Sequence, residues 1–325
     1  MQQPGVPRPT LVRPVRLSAL ADGALRGADV EVTGVTSGTA FVRPGDLFAA
    51  LPGTRTHGAA HVPDALAAGA VAVLTDEAGA ALLERDLPLL VVDDVRRVLG
   101  PISARVYEDP SRQMSVLGVT GTSGKTTTTF LLYAILAAAG RRPGLIGTIE
   151  SRLGGERRKL ARTTPEAIDL QRLFREMLDS GDCSCAIEAS SHASALGRLD
   201  GTRFAALVFT ILSQDHLDFH RDMDDYFEAK RRLFGAGVPA AVNVGDEHGR
   251  RLAAELGDAL TFGFADDAEI RADDLELSAA GARFTAGGIE LETRLRGRFN
   301  VENVLGAVAA ARLLGIEDEP IARGV

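Results

Sequence analysis

The chain has 325 residues, of which 45% are hydrophobic and 25% charged, and its formal net charge is −8. This length and balance are typical of a soluble globular protein of about two domains, and the acidic balance excludes the broad basic surface that binds nucleic acid. Residues 1–16 carry prolines and arginines without an apolar signal core, and the longest apolar run, around residues 130–139, is too short to span a bilayer. We therefore expect a cytoplasmic protein with no membrane or nucleic-acid partner.

The N-terminal part is expected to be a disordered tail over residues 1–16 and a small α/β domain over residues 17–111. Short apolar runs predict its strands, and amphipathic runs predict its helices. The predicted strands cover residues 30–35, 46–50, 71–74 and 89–92, and the predicted helices cover residues 63–68 and 96–107. The Asp-Pro-Ser sequence at residues 109–111 interrupts this pattern and predicts a domain boundary.

The second part, residues 112–325, alternates strands with helices. This alternation predicts a central domain with a mostly parallel sheet. The predicted strands cover residues 116–119, 145–149, 186–189, 207–210 and 240–243, and the predicted helices cover residues 128–139, 165–180, 223–234 and 247–256. Three further strands, at residues 270–277, 282–285 and 289–295, predict a small antiparallel appendage. Asn300 is expected to cap a last helix over residues 301–314.

The two cysteines, Cys183 and Cys185, lie two residues apart in an apolar run. They are expected to be small buried residues on one face of a strand. A disulfide between them or a metal site is not expected, because a metal would need more ligands and the cytosol is reducing.

Residues 118–127 (Gly-Val-Thr-Gly-Thr-Ser-Gly-Lys-Thr-Thr) join a predicted buried strand to a predicted helix. A glycine-rich turn in this place points backbone N–H groups at an anion, and the dipole of the following helix adds to the attraction. Lys125 is expected to reach phosphate oxygens and the Thr126 hydroxyl to hold Mg²⁺. The spacing departs from the common phosphate loop, because the upstream glycine is one residue too far away. The order of strand, turn and helix nevertheless favours nucleotide binding.

Polar side chains follow two further predicted strands. Glu188 ends one of them, where a carboxylate often holds Mg²⁺ in such a sheet; a solvated strand-end residue is the alternative. Residues 215–220 (Asp-His-Leu-Asp-Phe-His) follow the next strand and could ligate a metal, orient a substrate or serve structure alone. Ser191 and His192 suggest a hydrolase only weakly, because the spacing of a nucleophile elbow is missing. Lys230, inside a charged helix, is expected to be solvated.

Several short motifs in a fixed order resemble the Mur ligase family, most closely its UDP-N-acetylmuramoyl-tripeptide synthetase type. They lie at residues 42–47, 67–74, 118–127, 163–165, 188–192, 196–198, 215–220, 226–230 and 297–303. The resemblance covers nearly everything after residue 30. It implies an ATP-dependent ligase that joins the carboxylate of a UDP-muramoyl-peptide to an amino acid through an acyl phosphate.

The resemblance also assigns residues to roles. It implies that the cofactors are ATP and Mg²⁺ and that Lys125, Glu188, His216 and Lys230 are catalytic. The phosphates would be bound by Gly121, Thr122, Ser123, Gly124, Lys125, Thr126 and Thr127, and the adenine by Asn300 and Asn303. Metal ligands would be Thr126, Glu188, His216 and a carbamylated Lys230, and the muramoyl-peptide would meet Thr39, Thr163, Thr164, Ser190 and Arg198.

The chain departs from the family pattern near the expected uridine site and at its end. Gly38, Thr39 and Ala40 stand where the family has Asp-Ser-Arg, and residues 57–61, including Ala59 and His61, lack the family's matching histidine and aromatic ring. Ile211 replaces an asparagine. The family's third, Rossmann-like domain is absent, so the isolated chain is expected to bind Mg-ATP weakly and to ligate nothing.

Two alternatives remain open. The chain could be a Mur-like paralogue that acts on another carboxylate carrier in a secondary pathway, with a third domain supplied in trans. It could instead be a nucleotide-binding module that is inactive without a third domain.

Overall fold

The computed structural model describes residues 8–9, 12–84, 86–235 and 237–325. It divides into two compact units: residues 1–113, 165–176 and 197–202 form the first, and residues 114–164, 177–196 and 203–325 form the second. Most of the expected tail, namely residues 1–7, 10 and 11, lies outside the described residues. The last two residues of that tail form a strand, and Arg8 is paired with the buried carboxylate of Asp46.

The first unit is built on a five-stranded sheet. The described residues of the unit form seven strands, of which β1 and β3 make a separate two-stranded sheet: β1 (Val15–Arg16), β2 (Ala24–Arg26), β3 (Glu31–Val32), β4 (Gly34–Thr36), β5 (Asp46–Ala49), β6 (Ala70–Thr75) and β7 (Leu89–Val91). The five-stranded sheet has the order β2-β7-β6-β5-β4, in which only β2 is antiparallel to its neighbour. The helices are α1 (Val62–Ala67), α2 (Glu77–Ala80), α3 (Val95–Val106) and α4 (Pro110–Gln113).

The single strand predicted over residues 30–35 is wrong, because the chain changes partner within it. Strand β3 pairs with β1, whereas β4 joins the five-stranded sheet beside β5. The change falls at Gly34, where a Cβ atom would collide with the side chains of Arg8 and Asp46. Only glycine allows this close approach, so a side chain at the start of β4 would not fit.

The second unit contains one sheet of eleven strands. These are β8 (Ser115–Thr120), β9 (Pro143–Ile146), β10 (Ser151–Leu153), β11 (Glu156–Arg158), β12 (Ser184–Glu188), β13 (Ala206–Phe209), β14 (Ala240–Asn243), β15 (Leu260–Gly263), β16 (Ile270–Leu277), β17 (Ala282–Ala286) and β18 (Ile289–Thr293). The order is β11-β10-β9-β12-β8-β13-β14-β15-β16-β17-β18, parallel from β9 to β16 and antiparallel at both ends. The predicted α/β fold with a mostly parallel sheet is confirmed, and the predicted antiparallel strands continue that same sheet.

The remaining helices are α5 (Lys125–Ala138), α6 (Ala167–Asp179), α7 (Ser191–Ala195), α8 (Met223–Arg231), α9 (Glu247–Leu256), α10 (Arg298–Leu313) and α11 (Asp318–Gly324). Helices α5 and α10 pack in the core of the second unit, and α10 is buried on most of its surface. Its buried alanines, Ala307 and 309–311, have small side chains that allow the neighbouring elements to pack closely against the helix. Among the described residues, no helix has the length and apolar character needed to cross a bilayer.

Some predicted details are wrong. Helix α10 is capped by Gly297, which has a φ of 85°, and Asn300 lies inside the first turn. Helix α5 begins at Lys125, three residues before the predicted start. Cys183 precedes β12 and is exposed, whereas Cys185 is buried. Burial raises the pKa of the Cys185 thiol, because the thiolate would be desolvated.

Candidate nucleotide-binding site

Three adjacent parallel strands of the second unit end at one edge of the sheet. Strand β8 lies between β12 and β13, with Glu188 paired to Val119 and Phe209 paired to Thr120. The segments that follow these strands therefore emerge side by side. In an open parallel sheet, this edge is where ligands bind.

The loop after β8 has a backbone that requires glycine. Gly121 has a φ of 144° and Gly124 a φ of 86°. A Cβ on Gly121 would collide with the Thr210 hydroxyl, and one on Gly124 with the side-chain oxygen of Asn303. The Thr210 hydroxyl also donates to Ser123 O at 2.6 Å, which fixes the loop. We call residues 121–127 the phosphate loop, after the role that the sequence predicts.

Lys125 folds back over the phosphate loop. Its Nζ donates hydrogen bonds of 2.9 Å to the carbonyl oxygens of Gly121 and Thr122. Burial lowers the pKa of Lys125, while the charge of Glu188 acts in the opposite direction. The helix α5 begins at this residue, so a cation and a helix N-terminus coincide at the loop.

Glu188 is a buried carboxylate beside Thr126. Only 1% of the residue is exposed. Its Oε1 accepts from Thr126 Oγ1 at 3.0 Å and from the Thr148 N–H at 2.8 Å, and its Oε2 accepts from Thr148 Oγ1 at 3.0 Å. Thr126 and Glu188, which the sequence predicted to share a magnesium ion, are thus in direct contact.

Thr148 was missed in the sequence because the strand containing it was predicted to run to residue 149. Strand β9 ends at Ile146, so Thr148 lies at the same sheet edge as the other strand ends. A Gly-Thr pair after an apolar run is the signal that would have revealed it. The same hydroxyl lies 3.0 Å from Thr163 Oγ1.

Three of the predicted substrate residues belong to this hydrogen-bond network. Thr163 contacts Thr148, and the Thr164 hydroxyl donates to the carbonyl oxygen of Glu188 at 2.7 Å. The Ser190 N–H donates to Thr164 Oγ1 at 3.3 Å. Their hydroxyl groups therefore gather around the backbone and carboxylate of Glu188.

The other two predicted substrate residues, Thr39 and Arg198, belong to the first unit. Thr39 opens a single 3₁₀ turn, Thr39–Phe41. Arg198 forms an ion pair of 3.2 Å with Glu166. Their part in a substrate site stays a prediction.

The two asparagines predicted at the adenine are linked to the phosphate loop. Asn303 is 7% exposed, and its Oδ1 lies 3.5 Å from Thr128 Oγ1. Its amide donates to Asn300 Oδ1 at 3.2 Å, and the Asn300 amide donates to Arg296 O at 2.8 Å. Helix α10 thus places the side-chain oxygen of Asn303 beside Gly124 and Thr128, while adenine binding by the two asparagines stays a prediction.

His216 lies in the segment after β13, in a ring cluster. Its φ is 54°, and its N–H donates to Asp215 Oδ1 at 2.8 Å. The His216 ring centroid lies 4.8 Å from that of His192, which stacks on Phe219 at 4.1 Å. Within the part of the chain that the structure describes, no three His, Cys, Asp or Glu side chains are arranged to hold a metal ion. Metal binding by His216 stays a prediction.

Lys230 is buried, and its predicted solvation is wrong. Only 1% of the residue is exposed, and its Nζ donates to Gly121 O at 2.8 Å, the same carbonyl that Lys125 contacts. Burial, together with the charge of Lys125, lowers the pKa of Lys230 well below its ordinary value. The charged neighbours in the sequence lie on the other face of α8, which is why the local pattern misled. Carbamylation of Lys230 stays a prediction.

Known proteins resemble both units. Residues 119–311 match the Mur ligase middle domain, and residues 31–107 match the catalytic domain of the Mur ligase family. The chain is 46% identical to the UDP-N-acetylmuramoyl-L-alanyl-D-glutamate–2,6-diaminopimelate ligase of Streptomyces avermitilis and 45% identical to that of Streptomyces coelicolor. Each alignment covers all of this chain and 67% of the relative.

A solved structure of a ligase with the same name superimposes with a TM-score of 0.83 at 27% identity. The superposition covers 95% of this chain and 66% of that one, so the chain spans about two thirds of the length of its relatives. Since a family model covers more than half of the chain and these relatives align along all of it, the chain belongs to the Mur ligase family.

Proposed function

We propose that this chain forms the nucleotide-binding part of an ATP-dependent ligase that adds an amino acid to a UDP-N-acetylmuramoyl-dipeptide. The observation that carries this proposal is the convergence of Lys125, Thr126 and Glu188 at one glycine-rich loop. The names of the Streptomyces relatives suggest the substrate, UDP-N-acetylmuramoyl-L-alanyl-D-glutamate, and the amino acid, 2,6-diaminopimelate.

The proposed reaction has two steps. The substrate carboxylate attacks the terminal phosphorus of ATP, which gives an acyl phosphate and releases ADP. The amine then attacks the acyl carbon, phosphate leaves with the bonding electrons, and the nitrogen loses a proton. Positioning and charge neutralisation supply most of the catalysis in such phosphoryl transfers.

The phosphate loop is suited to the charge on the transferred group. Lys125 contributes a cation, and the N-terminus of α5 contributes unpaired N–H groups and a positive dipole end. Burial lowers the pKa of Lys125 because the ammonium loses contact with water. The same lack of water means that the attraction between this ammonium and a bound phosphate would be poorly screened.

The oxygen donors at Glu188 fit a magnesium ion. Among the described residues, Glu188 Oε2 accepts one hydrogen bond, from Thr148, and the Thr126 hydroxyl keeps a free lone pair while it donates to Oε1. Hard oxygen ligands of this kind are what Mg²⁺ prefers. The ion would neutralise phosphate charge, and Thr126 and Glu188 would hold it.

The hydroxyls of Thr163, Thr164 and Ser190 are proposed to bind the carboxylate end of the muramoyl-peptide. They surround Glu188, so a substrate held there would meet the phosphate loop. The amino-acid pocket is assigned to a third domain, supplied along a longer chain or in trans. The relatives extend beyond the length matched here, which leaves room for such a domain.

The phosphate-loop assignment is tested by Lys125→Ala. The chain has three lysines, and Lys159 is exposed, so Lys159→Ala is a matched control. A charged hydrogen bond contributes about 1.5–3 kcal/mol, which corresponds to a loss of about 10- to 150-fold in Mg-ATP affinity. Isothermal titration calorimetry measures this loss. An unchanged affinity in Lys125→Ala would refute the assignment.

The ligase reaction is tested by mass spectrometry of mixtures with ATP, 2,6-diaminopimelate and UDP-N-acetylmuramoyl-L-alanyl-D-glutamate. We expect the 325-residue chain to bind Mg-ATP weakly and to make no amide by itself. Addition of the part of a Streptomyces relative that lies outside its alignment with this chain is expected to give an amide product that depends on ATP. Amide formation by the isolated chain would contradict the assignment of the amino-acid pocket to a third domain.

A further inference from the structure

Tyr226 is a fully buried side chain at the phosphate loop, and the family resemblance gives it no role of its own. It lies in the second turn of α8 and has 0% exposure. The buried positions of this helix are Tyr226, Phe227, Ala229 and Lys230. Residues four apart on a helix lie on the same face, so Tyr226 and Lys230 point the same way.

The Tyr226 hydroxyl completes a hydrogen-bond set around Thr122. Thr122 Oγ1 lies 3.2 Å from Tyr226 Oη, 3.1 Å from Ser213 O and 3.0 Å from Ser213 N. A threonine hydroxyl donates once and accepts twice. The set is satisfied when Thr122 donates to Ser213 O and accepts from both the Ser213 N–H and the Tyr226 O–H. The hydroxyl of Tyr226 therefore fixes a residue near the start of the loop.

The ring of Tyr226 supports Lys230. The Lys230 Nζ lies 4.4 Å from the ring centroid, within the range of a cation–π contact, and donates to Gly121 O. The same ring lies 5.0 Å from the His220 ring and 6.0 Å from the His216 ring. One side chain thus contacts the phosphate loop, the buried lysine and the histidine segment after β13.

We propose that Tyr226 is a positioning residue of the nucleotide site: its hydroxyl orients Thr122, and its ring orients Lys230 against Gly121. The inference rests on the proposed nucleotide binding at this loop. Tyr226 touches no phosphate itself. It acts by holding the carbonyl and N–H groups of residues 121–122 in one arrangement, so that ordering the loop costs less when nucleotide binds.

A purely structural tyrosine provides the comparison. Tyr107, in the first unit, is also 0% exposed, and its hydroxyl accepts from Arg172 Nε at 2.8 Å. Replacing either tyrosine by phenylalanine removes one buried hydroxyl and keeps the ring. Both variants are expected to lower the melting temperature, since each removes a buried hydrogen bond.

The test is the Mg-ATP affinity of Tyr226→Phe against Tyr107→Phe and the unaltered chain, measured by calorimetry. Tyr226→Phe is expected to bind about 3- to 10-fold more weakly, as the loss of one hydrogen bond predicts, while Tyr107→Phe is unchanged. Tyr226→Leu, which also removes the ring, is expected to bind more weakly still. Equal affinities in Tyr226→Phe and the unaltered chain would overturn the inference and leave the nucleotide site standing. No Mg-ATP binding by the unaltered chain would overturn both.

A spectroscopic signature separates positioning from general stability. The chain has three tyrosines, so labelling with [¹³Cζ]-tyrosine gives three resonances, which the phenylalanine variants assign. Addition of Mg-ATP is expected to shift the Tyr226 resonance and to leave that of Tyr107 in place. A Tyr226 resonance that stays unmoved at saturating Mg-ATP would overturn the inference.

Discussion

Glu188 shows at the scale of one residue how a buried carboxylate can be held in place beside the phosphate loop, where we propose a metal ion binds. Three donors, from Thr126 and Thr148, compensate its removal from water. Glu188→Gln keeps the size and replaces one acceptor by a donor. We expect ATP binding by this variant to lose most of its dependence on Mg²⁺. Calorimetry measures the ATP affinity of both proteins with Mg²⁺ and with EDTA. If the affinity depends on Mg²⁺ as strongly in the variant as in the unaltered chain, Glu188 is not a metal ligand.

His220 is a second buried ionisable residue, and it links stability to pH. Its Nε2 lies 3.0 Å from Ser191 Oγ and its Nδ1 3.4 Å from Asp225 Oδ2. Burial lowers the pKa of His220, although Asp225 acts in the opposite direction. The unfolded chain therefore binds more protons than the folded one between the lowered pKa and about 6.5. Stability from this residue is present above pH 6.5 and lost as the pH falls through the folded pKa.

The prediction for His220 concerns the slope of stability with pH. One proton contributes at most about 1.4 kcal/mol per pH unit. In His220→Gln, the fall in unfolding free energy between pH 7 and pH 5 should become smaller by a part of this amount. Urea unfolding at three pH values measures it, with His61→Gln, an exposed position, as control. A slope equal to that of the unaltered chain would contradict the lowered pKa.

At the scale of an element, the phosphate loop depends on the conformation of its glycines and on what surrounds them. Gly124 has a φ of 86° and faces Asn303, whereas Gly140, at the other end of α5, has a φ of 72° and nothing within 4 Å of an added Cβ. Both positions are left-handed, which costs a non-glycine residue about 1–2 kcal/mol. Only Gly124 adds a collision.

Gly124→Ala is therefore expected to lose Mg-ATP binding and more stability than the backbone cost alone, since Asn303 and α10 must move. Gly140→Ala is expected to lose about 1 kcal/mol of stability and no ATP affinity. Chemical denaturation and calorimetry on the pair separate the two effects. Equal ATP affinities in the two variants would show that the loop tolerates a Cβ at Gly124.

The same scale explains what the sequence could predict. The phosphate loop, β14 and α9 were predictable because each is encoded in a short run of residues. The contacts of Thr148 with Glu188 and of Tyr226 with Thr122 span 40 and 104 residues. No local pattern carries them. The burial of Lys230 was missed for the same reason, since the carbonyl that it contacts lies in another element.

At the scale of the whole molecule, the first unit is not continuous in sequence, because residues 165–176 belong to it. Ile168, with 1% exposure, packs in its core. Arg172 donates to Tyr107 Oη at 2.8 Å and also to Val35 O. A boundary at residues 109–111, as the sequence predicts, would separate these side chains from the sheet that they complete.

A fragment of residues 1–113 is therefore expected to lack a cooperative thermal transition. It would leave the Val35 carbonyl and the Tyr107 hydroxyl without Arg172 and would expose the core surface that Ile168 covers. Fusing residues 165–176 to this fragment through a Gly-Ser linker should restore a cooperative transition in circular dichroism. The same fusion with Arg172→Ala should restore less, because the buried hydrogen bonds remain unmade. If residues 1–113 alone melt cooperatively at the melting temperature of the fusion, this prediction is wrong. Residues 165–176 would then add nothing to the stability of the first unit, and the unit would fold as the boundary at residues 109–111 predicts.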